Sequence, residues 1–468
     1  MSFGRRELLK GAAGALAAIA SGGLGLRTAR ARVPVSPVSV LVLDFSGGWN
    51  VHATFAARTN PSVNVNGIYT ATDTGIVRAS NLLFRERDSV VNLASSAWGM
   101  RIPGFEDAAR ELSVIGAMRH AKSFTLDDHV QTARFCGTGY LSRLDAPGLG
   151  TIIGRYAPQN TKAPPAVVIN PGNSSSEMAR APGAWLPYAP LPLSHTSLPV
   201  AGADAVAGSA FEAAIDAASR GRRASALALE KTDRLLAYKT AFHRYRSFFL
   251  DPAVHTSSGA SLESRYSAGL LGSASPTTTQ LLEPLGGAGN ADEGALALAF
   301  RCLEGGSRFV AVGIGGHDTH QHEDEAGSLY VHDAQLLAGV SFLLKKLGLQ
   351  DRVLVVALSE MARTTYAGSC FNAASGTDHG PIGMVTPKGL HGSNRQSILL
   401  AHGPIRPGVE VYPADPEFGD PVGEPCITAE LLAFLAECAG VEREMHPWSV
   451  SPDGAPLSAD VLAKGLVK

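Results

Sequence analysis

The chain predicts an α/β fold, a mostly parallel central sheet flanked by helices, and three observations lead to it. Short apolar runs at 38–44, 308–314 and 353–358 read as buried strands of a parallel sheet. Stretches with helical spacing alternate with those runs. The residues best suited to chemistry fall directly after them, where an open α/β sheet places its ligands.

Taken in order, the chain starts with Gly4-Arg5-Arg6-Glu7-Leu8-Leu9-Lys10, an Ala/Gly-rich apolar run from Gly11 to Leu26, and Ala29-Arg30-Ala31. This resembles a twin-arginine export signal with a small-x-small cleavage site. Residues 1–31 are therefore set aside, and 32–468 is expected to be a single α/β domain. The apolar run is short and poor in large side chains, so no permanent membrane span is expected. A periplasmic or secreted protein, passed in folded form to the twin-arginine machinery, is the corresponding location.

The first strand, 38–44, ends in Asp44 and stops at Phe45-Ser46-Gly47-Gly48-Trp49-Asn50, a Gly-rich turn. A helical run at 105–111 leads into an apolar stretch at 112–118, and a third short strand covers 166–170. Residues 171–204 are rich in Pro, Gly and Ser and are expected to be loop. Leu227, Leu229, Leu235, Leu236, Tyr238 and Phe242 recur at helical spacing, so about 205–290 reads as a helical insertion followed by a polar, Gly-rich loop. A helix from 294 feeds the strand at 308–314. A helix over 329–347 joins it to the strand at 353–358. A late strand at 397–401 and a closing amphipathic helix at 428–439 complete the pattern.

Composition narrows the function. Charged residues are 18% of 468 and the net charge is −2, so no basic surface points to nucleic acid or anionic lipid. Five cysteines without a CxxC pair exclude a disulfide scaffold. What stands out is two histidine-acid clusters about sixty residues apart. The first, His317-Asp318-Thr319-His320-Gln321-His322-Glu323-Asp324, puts three histidines and three acids into eight residues. Asp318 and His322 share a face if a helical turn starts there; His320 takes that place in an extended loop. The second region offers Glu360 directly after its strand, Arg363 suited to an oxyanion, and Asp378-His379 in a Gly/Ser-rich loop. Asp44 aims at the same sheet edge. Asp127-Asp128-His129, upstream of Cys136-Gly137-Thr138-Gly139, is a further constellation, equally readable as acids at a helix start.

The order Gly-Gly-Trp-Asn, His before Thr-Gly, Gly-x-Asp-Thr-His, Ser-Glu-x-x-Arg-Thr and Gly-Thr-Asp-His-Gly resembles domain-of-unknown-function family 1501, over about residues 38 to 440. That family is similar to alkaline phosphatases and sulfatases, which implies an alkaline phosphatase-like sheet between helices. It also implies two divalent metal ions: usually zinc, with manganese, magnesium or calcium in some branches. By position, Asp318 and His322 (or His320) with His379 resemble one metal's ligands; Asp44, Glu360 and Asp378 resemble the other's. Two such cations would clamp the oxyanion of a phosphate or sulfate ester. Arg363 would steady the anion, with Asn50, Ser46 and His129 as further catalytic candidates. The nucleophile stays open among Ser46, Thr54, Ser123 and Thr125. Asn50 stands where the family usually has an acid, His317 where it has Trp, and Met361-Ala362 where it has Phe-Gly. No Cys-x-Pro-x-Arg modification motif is present. The expectation is an exported metal-dependent ester hydrolase, acting on an anionic ester or an envelope component. The alternative is a degenerate relative that binds or assembles without turnover.

Overall fold

The computed structural model describes residues 36–49, 76–79, 82–85, 108, 110–120, 129–158, 162–194, 245, 248, 291–317, 327–361, 395–413, 422–448 and 459–468. A nine-stranded sheet organises them, in the order β10-β4-β9-β8-β1-β7-β5-β6, with β11 also paired to β4. These strands are β1 (Ser39–Phe45), β4 (Leu112–Arg119), β5 (Ala166–Ile169), β6 (Leu191–Leu193), β7 (Phe309–Ile314), β8 (Val353–Leu358), β9 (Arg395–His402), β10 (Glu410–Val411) and β11 (Cys426–Ile427). A separate antiparallel pair, β2 (Ile76–Ala79) and β3 (Leu82–Arg85), lies off this sheet. The helices are α1 (His129–Thr138), α2 (Leu149–Tyr156), α3 (Asn173–Met178), α4 (Ala291–Glu304), α5 (Gly327–Lys346), α6 (Thr428–Cys438) and α7 (Asp460–Leu466).

β1 runs down the middle, parallel to β7 on one side and β8 on the other. All seven of its residues are buried, because helices cover both faces. The period-2 alternation of a strand sends Leu41 and Leu43 to one face, where they join Val310, Val355, Leu296 and Phe300 with α4 and α5. Val40 and Val42 go to the other and join Ile152, Leu354, Leu431 and Leu462 with α2, α6 and α7. Both faces being apolar explains why the strands read as unbroken hydrophobic runs.

The mostly parallel sheet between helices agrees with the expectation, with two differences. β9 is antiparallel to both neighbours, β4 and β8, although its apolar run carries no mark of direction. The stretch expected to be loop, 171–204, contains α3, a 3₁₀ turn (Gly183–Tyr188) and the edge strand β6. Its Pro, Gly and Ser are tolerated because the helix is short and Pro192 sits on an edge strand. The expected insertion at 205–290 lies outside the described residues apart from 245 and 248, and residues 1–31 lie wholly outside them.

Candidate active site

Strand register sets the geometry of the site. Asp44 is level with Gly313 on β7 and Leu358 on β8, so Glu360, two residues beyond, emerges beside it at the carboxyl edge. Both side chains are fully buried. The turn after β1 needs Gly47 and Gly48, whose φ values of 118° and 102° disfavour any residue with a Cβ. That turn aims its backbone N–H groups at β8: Gly47 N donates to Glu360 Oε1 at 2.9 Å and Gly48 N to Ser359 Oγ at 3.0 Å.

Glu360 Oε1 accepts two further bonds, from His129 Nδ1 at 2.7 Å and Asn173 Nδ2 at 2.7 Å. Its Oε2 accepts from Ser359 Oγ, at 3.1 Å. Burial pushes this carboxyl up, but the bonds from His129 and Asn173 outweigh it and hold Glu360 below the usual range. Asp44 behaves oppositely. Burial first, and then the charge of Glu360, raise it to about 7, against the opposing bond from Ser175. Its Oδ2 accepts from Ser175 N at 2.6 Å, while its Oδ1, buried, has no hydrogen-bond donor among the described residues.

The segment after β5 folds over Asp44. Asn173 N donates to Ser46 Oγ at 2.8 Å and Gly172 N to Ser175 Oγ at 2.8 Å. A Cβ at Gly172 would run into Ser46 Oγ and Asp44, and one at Gly313 into the backbone of Asn170 and Gly172. Both glycines record the same close approach.

Behind the site, three side chains fix the Ser359–Glu360 backbone. His120, at the end of β4, donates from Nε2 to the Glu360 carbonyl at 2.8 Å, and its Nδ1 pairs with Thr428 Oγ1 at 3.0 Å. Burial lowers its pKa to about 4, so the ring is neutral, and a carbonyl partner requires the proton on Nε2. Cys136 Sγ lies 3.5 Å from the Ser359 carbonyl and accepts from Gln396 Nε2 at 3.2 Å, while Gln396 Oε1 accepts from Ser359 N at 3.3 Å. Burial pushes the Cys136 thiol far up, so it stays protonated.

The structure thus brings together four of the residues expected from sequence: Asp44, Ser46, His129 and Glu360. Asn50, Asp318, His320, His322, Arg363, Asp378 and His379 lie outside the described residues. Sequence reasoning missed Asn173, Ser175, His120 and Gln396. Asn173 and Ser175 sit in the stretch expected to be loop; the nearest sequence signal was Asn170-Pro171-Gly172-Asn173, a turn directly after a strand.

Among the described residues no group of three or more His, Cys, Asp or Glu is arranged to hold a metal. A cation nevertheless fits what is there. Two adjacent buried carboxylates repel, and Asp44 offers an oxygen with no donor among the described residues. These residues supply part of a ligand set: Asp44 Oδ1 and Glu360 Oε2, which accepts from Ser359 Oγ where Oε1 accepts from three donors.

Fold and site define an α/β protein with a paired-carboxylate centre at the carboxyl edge of a parallel sheet. The family model "Protein of unknown function (DUF1501)" matches residues 39–387, so the chain belongs to that family. No curated protein matches it. Among solved structures it is similar to alkaline phosphatase from the Antarctic bacterium TAB5, at 11% identity and TM-score 0.38, covering 86% of this chain and 99% of that one. It is also similar to Ps i-CgsB in complex with k-i-k-neocarrahexaose, at 10% identity and TM-score 0.35, covering 91% and 76%. A third is the phosphonate monoester hydrolase SpPMH from Silicibacter pomeroyi, at 13% identity and TM-score 0.32, covering 90% and 76%. At TM-scores below 0.5 these likenesses carry no weight for activity or substrate.

Proposed function

We propose that this chain is an exported, metal-dependent hydrolase of phosphate or sulfate esters, acting on an anionic small molecule or envelope component. The observation that supports it is the Asp44–Glu360 pair: two buried carboxylates from adjacent strands, one oxygen without a donor among the described residues, at the edge where α/β sheets bind ligands. A divalent cation held there, zinc before manganese, magnesium or calcium, would supply Lewis-acid stabilisation of an ester oxyanion. Asp318, His320, His322, Asp378 and His379 are the residues proposed to complete one or two such sites, with Arg363 and Asn50 beside the anion.

Of the hydroxyls around the pair, Ser46 is half-buried and oriented by the backbone of Asn173, whereas Ser175 and Ser359 are buried. His129 is bonded to Glu360 through Nδ1 and keeps its Nε2 buried beside the centre, and it is the imidazole proposed to carry a proton for a leaving oxygen. The export route rests on the N-terminal pattern. No helix among the described residues is long and apolar enough to cross a membrane.

A second reading, a non-catalytic envelope binding or assembly protein, is favoured by one observation: three donors already fill Glu360 Oε1. Turnover of p-nitrophenyl phosphate and p-nitrophenyl sulfate, with zinc or manganese supplied, separates the two. Hydrolysis by the parent that falls about 100-fold or more in Asp44→Asn supports the hydrolase. Metal binding without turnover of either ester supports the second reading, and neither binding nor turnover sinks the first.

A further inference from the structure

A second buried polar pair lies next to the site and is not consumed by it. His317, in the turn after β7, pairs through Nε2 with Asp333 Oδ2 on α5 at 2.9 Å, and both side chains are fully buried. His317 is held in two further ways: its backbone N donates to the Ser46 carbonyl at 3.2 Å, and its ring meets Phe45 edge-on at 5.2 Å between centroids. Phe45 in turn stacks on Trp49 at 4.2 Å. Both ends of the Ser46–Trp49 turn are thereby fixed, and this is the turn that sends Gly47 N to Glu360 Oε1 and Ser46 Oγ toward Asn173. One continuous path runs from Asp333 through His317 and the Ser46–Gly47 peptide to Glu360.

A polar pair buried this deeply is poor evidence for stability, since apolar residues of the same volume often do as well. What it supplies is direction: one orientation of the turn, and hence of the donors that face the carboxylates. The other Asp333 oxygen, Oδ1, is buried with no hydrogen-bond donor among the described residues. The pair also ties residues sixteen apart, on either side of the 318–324 segment in sequence.

We infer that His317 and Asp333 form a positioning strut for the Asp44–Glu360 centre, setting its affinity for a divalent cation through the Ser46–Gly47 turn. The strut presupposes the cation site proposed for that centre. Outer-shell partners of this kind typically alter metal affinity by about 10–100-fold when removed. The test is titration of the full chain with Zn²⁺ alone and with Mn²⁺ alone, comparing the parent, Asp333→Asn, His317→Phe and Asp44→Asn, and each strut variant in the Asp44→Asn background. His317→Phe keeps a ring against Phe45; Asp333→Asn keeps the volume and carries the test if the first variant fails to fold. The expected result is affinity weakened about 10–100-fold in both strut variants, and no further loss once Asp44 is replaced. A purely structural role would lower the metal-free melting temperature and leave the affinity unchanged. Unchanged affinity in the strut variants, with binding lost in Asp44→Asn, overturns the strut and leaves the cation site standing. A parent that binds neither metal overturns both.

Discussion

Asp44 and Glu360 carry the same functional group, yet their surroundings drive their protons in opposite directions. Glu360 collects donors from Gly47, His129 and Asn173; Asp44 has the Ser175 backbone and a carboxylate for a neighbour. This difference makes stability depend on pH. Asp44 binds its proton more tightly in the folded chain, with a value of about 7 against 3.8 unperturbed. Between those values Asp44 holds its proton in the folded state and has lost it in the unfolded state, so the contribution of this group to metal-free stability falls as pH rises. The slope is at most about 1.4 kcal/mol per pH unit, and it flattens above 7. His120 and His402, both lowered to about 4 by burial, push the other way below pH 6.5, so the Asp44 contribution is read as a difference. In thermal melts of the metal-stripped chains, the stability of the parent relative to Asp44→Asn should fall steadily from pH 4 to 7 and level off above it. Zinc should stabilise the parent most above pH 7, where it no longer competes with the proton. Gly172 gives a second expectation at this scale. A methyl group there meets Ser46 Oγ and Asp44, so Gly172→Ala should cost about 1–3 kcal/mol in denaturant unfolding.

At the scale of elements, the carboxyl edge is assembled from four separate pieces of chain: the ends of β1 and β8, the start of α1 and the start of α3. Each strand end was legible in the sequence, because an apolar run followed by an acid or a Gly-Gly turn has few other readings. Asp44 and Glu360 were found that way. The contribution of α3 was not, because six residues reading Asn173-Ser174-Ser175-Ser176-Glu177-Met178 have no apolar periodicity. Much of its role is made of backbone N–H groups, which nearly every residue carries. His120 was missed for a related reason: a lone histidine after a strand does not reveal which carbonyl it will meet. The antiparallel direction of β9 was likewise invisible, since strand polarity is a property of the pairing and not of the run. The double-sided burial of the sheet makes a simple packing prediction. Leu354, fully buried on β8, should cost about 2–5 kcal/mol when changed to Ala, measured as a shift in denaturant midpoint at constant slope.

For the molecule as a whole, the fold provides a rigid edge, and the chemistry hangs on what that edge holds. The family and the sheet architecture followed from the order of motifs; the activity did not, because the same architecture serves many reactions. Of the two histidine-acid clusters, the described residues show only their anchors, His317 and Glu360. The proposed chemistry stands or falls on whether the Asp44–Glu360 pair binds a divalent cation. Metal analysis of the folded, purified chain beside Asp44→Asn, Asp318→Ala and His379→Ala asks this without any assumption about substrate. One to two equivalents of a transition metal in the parent, reduced in all three variants, is the expected result. A parent free of metal after growth with zinc and manganese, and variants as stable as the parent at pH 8, would contradict it.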